Sequence, residues 1–331
     1  METVQCTAPE RPGMRTRMLL LVLMGLAASP LAHADHTPGV IVIDSLEGLQ
    51  AMDRQLDGRY VLGQDIDAGD TSRWNGGAGF QPIGRGAPFT GSFDGRGHAI
   101  QGLFIHRPNE NDVGLFGHAL NATLRDVRLV GGQVTGAANV GALVGHNEAV
   151  GGDARIDHVC AWVAVNAAGT AGGLVAHNEA YRGVSRIANA RAGGAVHATG
   201  SKVGGLVGHN EAYEGTASLS EVYASGEVIG RDYAGGSVGY NDAPRGAVPI
   251  EGSHASGAVS AAAAVAGGLV GLDTHGSIAH SFYATTDAQG RAINRFADSA
   301  GKGVAWEALQ RMPEFARWRD LPDRCGQASF P

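Results

Sequence analysis

GGLVGHNEAYEG, residues Gly204 to Gly215, is the stretch whose reading decides the fold. Its core returns as VGLFG (Val113 to Gly117), VGALVGHNEAV (Val140 to Val150) and AGGLVAHNEAY (Ala171 to Tyr181). It returns again as AGGSVGYNDAP (Ala234 to Pro244) and AGGLVGLDTHG (Ala266 to Gly276). The central residue is Leu115, Leu143, Leu174, Leu206, Ser237 and Leu269, in steps of 28, 31, 32, 31 and 32 residues. A fixed period of this size is the signature of a solenoid, because one such unit cannot bury its apolar face alone.

A second landmark lies within each period. Ile156, Ile187, Leu219 and Ile250 fall 13 positions after the central residue, but Leu124 and Ile278 fall only nine after it. The middle four coils therefore read as carrying a four-residue insertion. Those loops are HNEAVGGD (146–153), HNEAYRGV (177–184), HNEAYEGT (209–216) and YNDAPRGA (240–247). Identical offsets would stack them into one projecting ridge, and per-repeat insertions on one face are often the binding face. Three short strands and three turns per period predict an all-β, right-handed parallel β-helix. A propeller blade needs about 40 residues. At about 4.8 Å per stacked strand, six repeats make a body about 29 Å long.

Composition agrees. Gly contributes 52 of 331 residues and aromatics 6%, as expected for short strands joined by tight turns. The net charge of −7 and the absence of a basic cluster exclude a nucleic-acid binder of the usual kind and make an anionic membrane surface a poor partner. Only Lys202 and Lys302 are lysines.

The N-terminus reads as an export signal, with residues 1–13 either upstream of a real start at Met14 or a long n-region. MRTR (14–17) is basic, Met18 to Ala28 is apolar, and Ala32-His33-Ala34 is a small-x-small cleavage site. The apolar run of about 11 residues is too short to span a bilayer, which takes about 20. Export places the chain outside the cytoplasm: secreted, at the cell surface or in the periplasm. The divisions predicted are 1–34 signal, 35–112 N-terminal cap and first coils, 113–283 repeat solenoid, and 284–331 C-terminal cap. Ser45 to Leu56 reads as a covering helix, with Asp44 and Glu47 as a capping box. Gly303 to Met312 reads as a second short helix, with Trp306, Phe315 and Trp318 closing the other end. Whether Cys160 and Cys325 pair stays open, as does the oligomeric state.

At the GGLVG and HN residues the chain resembles the GLUG-motif repeats of bacterial exported proteins. The upstream block FQPIG…FTGSFDGRGHAIQGLFI and the tail GKGVAWEALQRMPEFARW look like the segments that flank such repeats. GLUG repeats occur in filamentous-haemagglutinin-like adhesins and in some IgA-cleaving metallopeptidases. The resemblance implies an exported β-solenoid without implying a ligand. The chain has no HExxH motif, so peptidase chemistry does not carry over.

Equivalent positions in a β-helix form columns. Asn147, Asn178, Asn210 and Asn241, continued by Asp273, read either as an amide ladder that stabilises a turn or as ligand contacts. Glu148, Glu179, Glu211 and Asp242 form the next column. Carboxylates stacked at about 4.8 Å repel by about 0.9 kcal/mol even in water. The relief would come from His146, His177 and His209, from Arg182 and Arg245, or from a bound cation such as Ca2+. Tyr181, Tyr213 and Tyr240 beside these groups make a sugar-like combination of apolar platform and polar rim. Phe116, Val144, Val175, Val207, Val238 and Val270 alternate with the Leu column and so are expected to point outward, under the loops or a partner.

No nucleophile elbow, P-loop or dinucleotide fingerprint is present. The expected function is therefore non-enzymatic: an adhesin-like solenoid presenting the ridge to an extracellular glycan or a host or matrix protein. Two alternatives stay open, a polysaccharide lyase or hydrolase of β-helix type, and a structural spacer.

Overall fold

The computed structural model describes residues 39–315 apart from 263–264, 295, 297–299 and 314. The export signal, Trp318 and Cys325 lie outside the described residues. The chain is a parallel β-solenoid whose walls are three sheets of 14, 5 and 13 strands. Each strand pairs with its equivalent one period away. Val144–Val150 lies beside Val175–Tyr181, which lies beside the first half of Val207–Ser220. The ladder matches His146 to His177, His209 and Tyr240, and Asn147 to Asn178, Asn210 and Asn241. The spacing of the motif in the sequence is thus the strand register itself.

The interior is filled by the central column and its neighbours. Leu115, Leu143, Leu174, Leu206 and Leu269 are fully buried, as is Ser237, which replaces Leu in the degraded copy. Phe116, Val144, Val175, Val207, Val238 and Val270 are also buried and belong to the same core. The expectation that they point outward is corrected here, and the reason is local. A bend separates the strand Lys202–Gly204 from Val207, so Leu206 and Val207 occupy a corner and do not alternate. Pairing then skips the next residue in every coil: Gly145, Ala176, Gly208, Gly239 and Gly271. That irregularity resets the faces, as a bulge does. His209 then points outward although it shares parity with Val207.

The segments read as inserted loops are strands. Val144–Val150 and Val175–Tyr181 are extended throughout, with His and Glu half-buried and Asn and Ala buried. The projection is confined to tight turns after these strands, where Gly151, Arg182 and Glu214 take positive φ of 59°, 52° and 53°.

The N-terminal helix spans Leu46–Ala51 and continues as a 3-10 turn over Met52–Arg54, shorter than the predicted Ser45 to Leu56. Its cap is Ser45, which accepts a hydrogen bond from Gly48 N at 3.0 Å, so Asp44 stands one place too early for the capping role. Leu46, Leu49 and Met52 join the main core. Gln50 and Asp53 tie the helix to the first coils through Gln81 and Gly84. At the other end Lys302–Val304 is a strand, and the helix is only Trp306–Gln310. Trp306, Leu309 and Phe315 cluster with Tyr223 and Ala284 apart from the main core. Phe315 meets Tyr223 and Trp306 edge-on at 5.9 and 5.6 Å. The segment therefore leans on a column of the wall and leaves the coil interior to the main core. Cys160 is disulfide-bonded, with its partner outside the described residues.

Candidate functional site

Two columns of the HNEA strands divide the work. The inward one is the asparagine ladder. Asn147 Nδ2 donates to Asn178 Oδ1, Asn178 Nδ2 to Asn210 Oδ1, and Asn210 Nδ2 to Asn241 Oδ1, each at 2.8 Å. Asn241 Nδ2 donates to Asp273 Oδ1 at 2.6 Å. All four asparagines are fully buried. Their placement in a ligand-contact ridge is corrected. They hold the coils together from inside, because a buried amide must find partners and the amide one coil away supplies them. A carboxylate ends the ladder well, since it accepts and has nothing to pass on.

The outward column is a stack of rings. His118, His146, His177 and His209 lie face to face at 4.8, 4.7 and 4.6 Å, within 11° of parallel. Tyr240 continues the stack 5.2 Å beyond His209. The first three imidazoles each reach the carboxylate two residues on and one coil along, whereas His209 faces Lys202 and the Glu211 of its own coil. His118 Nε2 meets Glu148 at 2.8 Å, His146 Nε2 meets Glu179 at 3.1 Å, and His177 Nε2 meets Glu211 at 3.3 Å. The repulsion along the glutamate column is relieved by these pairs. Arg182 and Arg245 serve elsewhere: both turn to Glu214, at 2.6 and 3.4 Å. Asp242 pairs with the Thr274 hydroxyl.

His118 is the member that motif reading missed, because its coil reads FGHAL and lacks the Asn and Glu. Lys202 was missed too. It lies seven residues before His209, yet its Nζ is 3.2 Å from His209 Nδ1 and 4.9 Å from the Tyr240 ring centre.

The charges follow. The hydrogen bond from His146 holds the Glu179 carboxyl below its usual range against the opposing effect of burial, and His177 does the same for Glu211. Burial pushes the His146 imidazole down, but the bond to Glu179 and the charges of Glu148 and Glu179 outweigh it, so its pKa is raised. His209 behaves oppositely. Burial, then His177 and Lys202, take it down to about 2.

That last shift has a testable sign. An unfolded His209 takes a proton near pH 6.5, and the folded one does not, so stability falls as the pH drops below 6.5. The loss attributable to this side chain reaches about 2 kcal/mol at pH 5. His146 works the other way: its raised value adds stability at low pH that is lost as the pH rises through it. The comparison needed is therefore wild type against His209→Phe. Urea unfolding with chelator present should show wild type losing about 2 kcal/mol more than the variant between pH 6.5 and 5. Equal slopes would refute the assignment.

The tyrosines are less open than a sugar platform requires. Tyr181 and Tyr213 stack on each other at 5.5 Å, and Arg182 and Arg245 lie over their rings at 5.1 and 4.9 Å. Tyr240 stacks between His209 and Tyr233. The stacked side chains offer edges, hydroxyls and charges outward.

Cavities elsewhere on the described surface are shallow. One of about 490 Å³ is lined by Arg125, Asp126, Arg155, Asp157 and His158, and one of about 460 Å³ by Thr135, Asn166, His197 and Ile229. No helix among the described residues is long and apolar enough to cross a membrane.

Comparison with known proteins agrees with the repeat and the fold. The GLUG motif family matches residues 199–229, so the chain carries that motif within its β-solenoid. Halomucin of Haloquadratum walsbyi is 45% identical over 113 residues, which is 31% of this chain and 1% of halomucin. A candidate Gly-rich membrane protein of Evansella cellulosilytica is 43% identical over 97 residues, 28% of this chain and 11% of that protein. The chain thus spans only a small part of the curated relatives it matches. A crystal structure of a candidate immunoglobulin A1 protease from Bacteroides ovatus superposes with a TM-score of 0.63 over 86% of this chain and 88% of that one. At 19% identity, that likeness speaks for the fold alone.

Proposed function

We propose that this chain is an exported, non-enzymatic binding module that presents the outward His–Glu–Tyr wall of its solenoid to an extracellular glycan or protein. The observation that carries the reading is repetition on a rigid surface. The same outward side chains recur in coil after coil at one strand spacing, which suits an extended ligand lying along the axis. The covered ring faces direct recognition to hydroxyls and charges, so polar contacts outweigh stacking on bare aromatic faces. The signal-like N-terminus of the sequence supports the exported part of this reading.

Catalysis on polysaccharides is the reading this geometry disfavours. A general acid among the carboxylates needs a raised pKa, and both Glu179 and Glu211 are lowered. Their spacing is set by the strand ladder, so its closeness to a glycosidase distance carries no weight.

The experiment is a glycan and matrix-protein array probed with the mature chain, Asp35 to Pro331. Alongside it runs a variant carrying Tyr181→Ala, Tyr213→Ala and Glu179→Gln. Selective binding by wild type, reduced at least tenfold in the folded variant, is expected. An array without any hit for folded protein would leave the spacer reading. Release of reducing ends from a polysaccharide would overturn the non-enzymatic one.

A further inference from the structure

We propose that the outward His–Glu ladder binds one divalent transition-metal ion of the Zn2+, Ni2+ or Cu2+ class, centred on His146. This is separate from the glycan or protein reading and does not depend on it. Three overlapping groups carry the donors: His118, His146 and Glu148; His146, His177 and Glu179; and His177, His209 and Glu211. In each, one donor atom per residue lies within 4.8 Å of the others.

The third group is unsuitable. Lys202 places an ammonium 3.2 Å from His209 Nδ1, where it opposes a second cation. The first two groups share His146, so the ladder accommodates a single ion with a full set of donors. Four-coordinate zinc holds nitrogen and oxygen donors about 3.3 Å apart, at bond lengths of about 2.0–2.2 Å. A metal lies in the plane of each imidazole it binds, so closing the gap from 4.8 Å requires the stacked rings to tilt out of parallel, and the side chains are only partly packed. His118, Glu148 and His146 keep 28%, 21% and 19% of their side-chain surface exposed, so an ion has access to them.

The donor set also selects the ion. Imidazole nitrogen with carboxylate oxygen suits zinc, nickel and copper. Calcium takes six to eight oxygens, and each glutamate here is already engaged with a histidine. The Glu179 carboxylate, 3.1 Å from His146 Nε2, stands beside the first group and belongs to the second, so the shared imidazole has a carboxylate of each group near it.

The test is calorimetric titration of the mature, untagged chain with Zn2+, Ni2+ and Ca2+. Saturable binding of Zn2+ and Ni2+ at one ion per chain is expected, with no competition from Ca2+. His146→Phe should weaken it at least tenfold while leaving circular dichroism and melting near wild type. The column already accepts a six-membered ring at Tyr240, packed on His209 within 5° of parallel. The double variant Glu148→Gln, Glu179→Gln on the same face should weaken it as well, and serves if the phenylalanine variant does not fold. His197→Ala, at a histidine paired with Glu227 on another wall, should bind as wild type does. Absence of saturable binding, undiminished affinity in both ladder variants, or displacement of Zn2+ by equal Ca2+ would each overturn the proposal.

Discussion

Asn210→Ala should destabilise the solenoid by at least about 3 kcal/mol, although the residue touches no solvent and no other named site. Three partners lose their bond at once. Asn178 Nδ2 loses its acceptor, and Asn241 Oδ1 and the Ala217 carbonyl lose a donor. Each buried group stranded in this way costs about 1–3 kcal/mol, and water has no route to replace the amide. Asn210→Asp should not rescue, because it keeps the acceptor while removing both donated bonds and adds a charge in the interior. Exposed Asn109→Ala should stay within about 0.5 kcal/mol of wild type. Urea unfolding of the three variants decides the matter. A cost for Asn210→Ala no larger than that for Asn109→Ala would mean that the ladder does not hold the coils.

Gly204→Ala is the second large effect, expected at about 3–5 kcal/mol. The backbone angles at Gly204 are not the difficulty; the space is. A Cβ there would fall on the Val207 carbonyl oxygen and lie 2.7 Å from Gly239 N and 2.8 Å from Ser237 O. All three obstacles are backbone, and two belong to the next coil, so relief requires the coils to part. Gly172, Gly235 and Gly267 occupy the equivalent position and meet the equivalent carbonyl. Gly86→Ala, whose Cβ would enter open space, should be nearly silent. Comparable melting of Gly204→Ala and Gly86→Ala would show that the corner yields more easily than its packing implies.

These two positions also mark what could be read from the sequence. The period was legible because parallel stacking turns register into repetition: the step from Leu174 to Leu206 in the chain is one strand spacing in space. The asparagine column was legible as a ladder for the same reason. The direction of a side chain was not. Alternation put Val207 outside, but the corner at Gly205 and Leu206 and the skipped Gly208 reset it, and nothing in a two-residue period announces such a reset. Reading HNEA as a projecting loop failed for a related reason. Asn and Gly suggest turns when taken singly, whereas a column of amides pairs within the wall and makes the segment a good strand. His118 escaped notice because its coil lacks the Asn and Glu of the motif, and Lys202 because it precedes the motif and meets His209 only after the corner folds back. Of the partners offered for the glutamate column, the histidines are the ones that meet it, and the arginines turn elsewhere. Glu214 stands at the tip of the turn, within reach of Arg182 from one coil and Arg245 from the next.

The ladder has one more property. Asn178 and Asn210 each receive a hydrogen bond from one neighbour and give one to the other, so the acceptor end of one such residue always fits the donor end of the next. A coil with such a residue can be duplicated or excised without leaving a mismatched join. Asp273 only receives, and Asn147 Oδ1 faces an alanine coil that gives nothing. Those two residues are start and stop marks, and the number of turns between them is free to vary while the cross-section stays fixed.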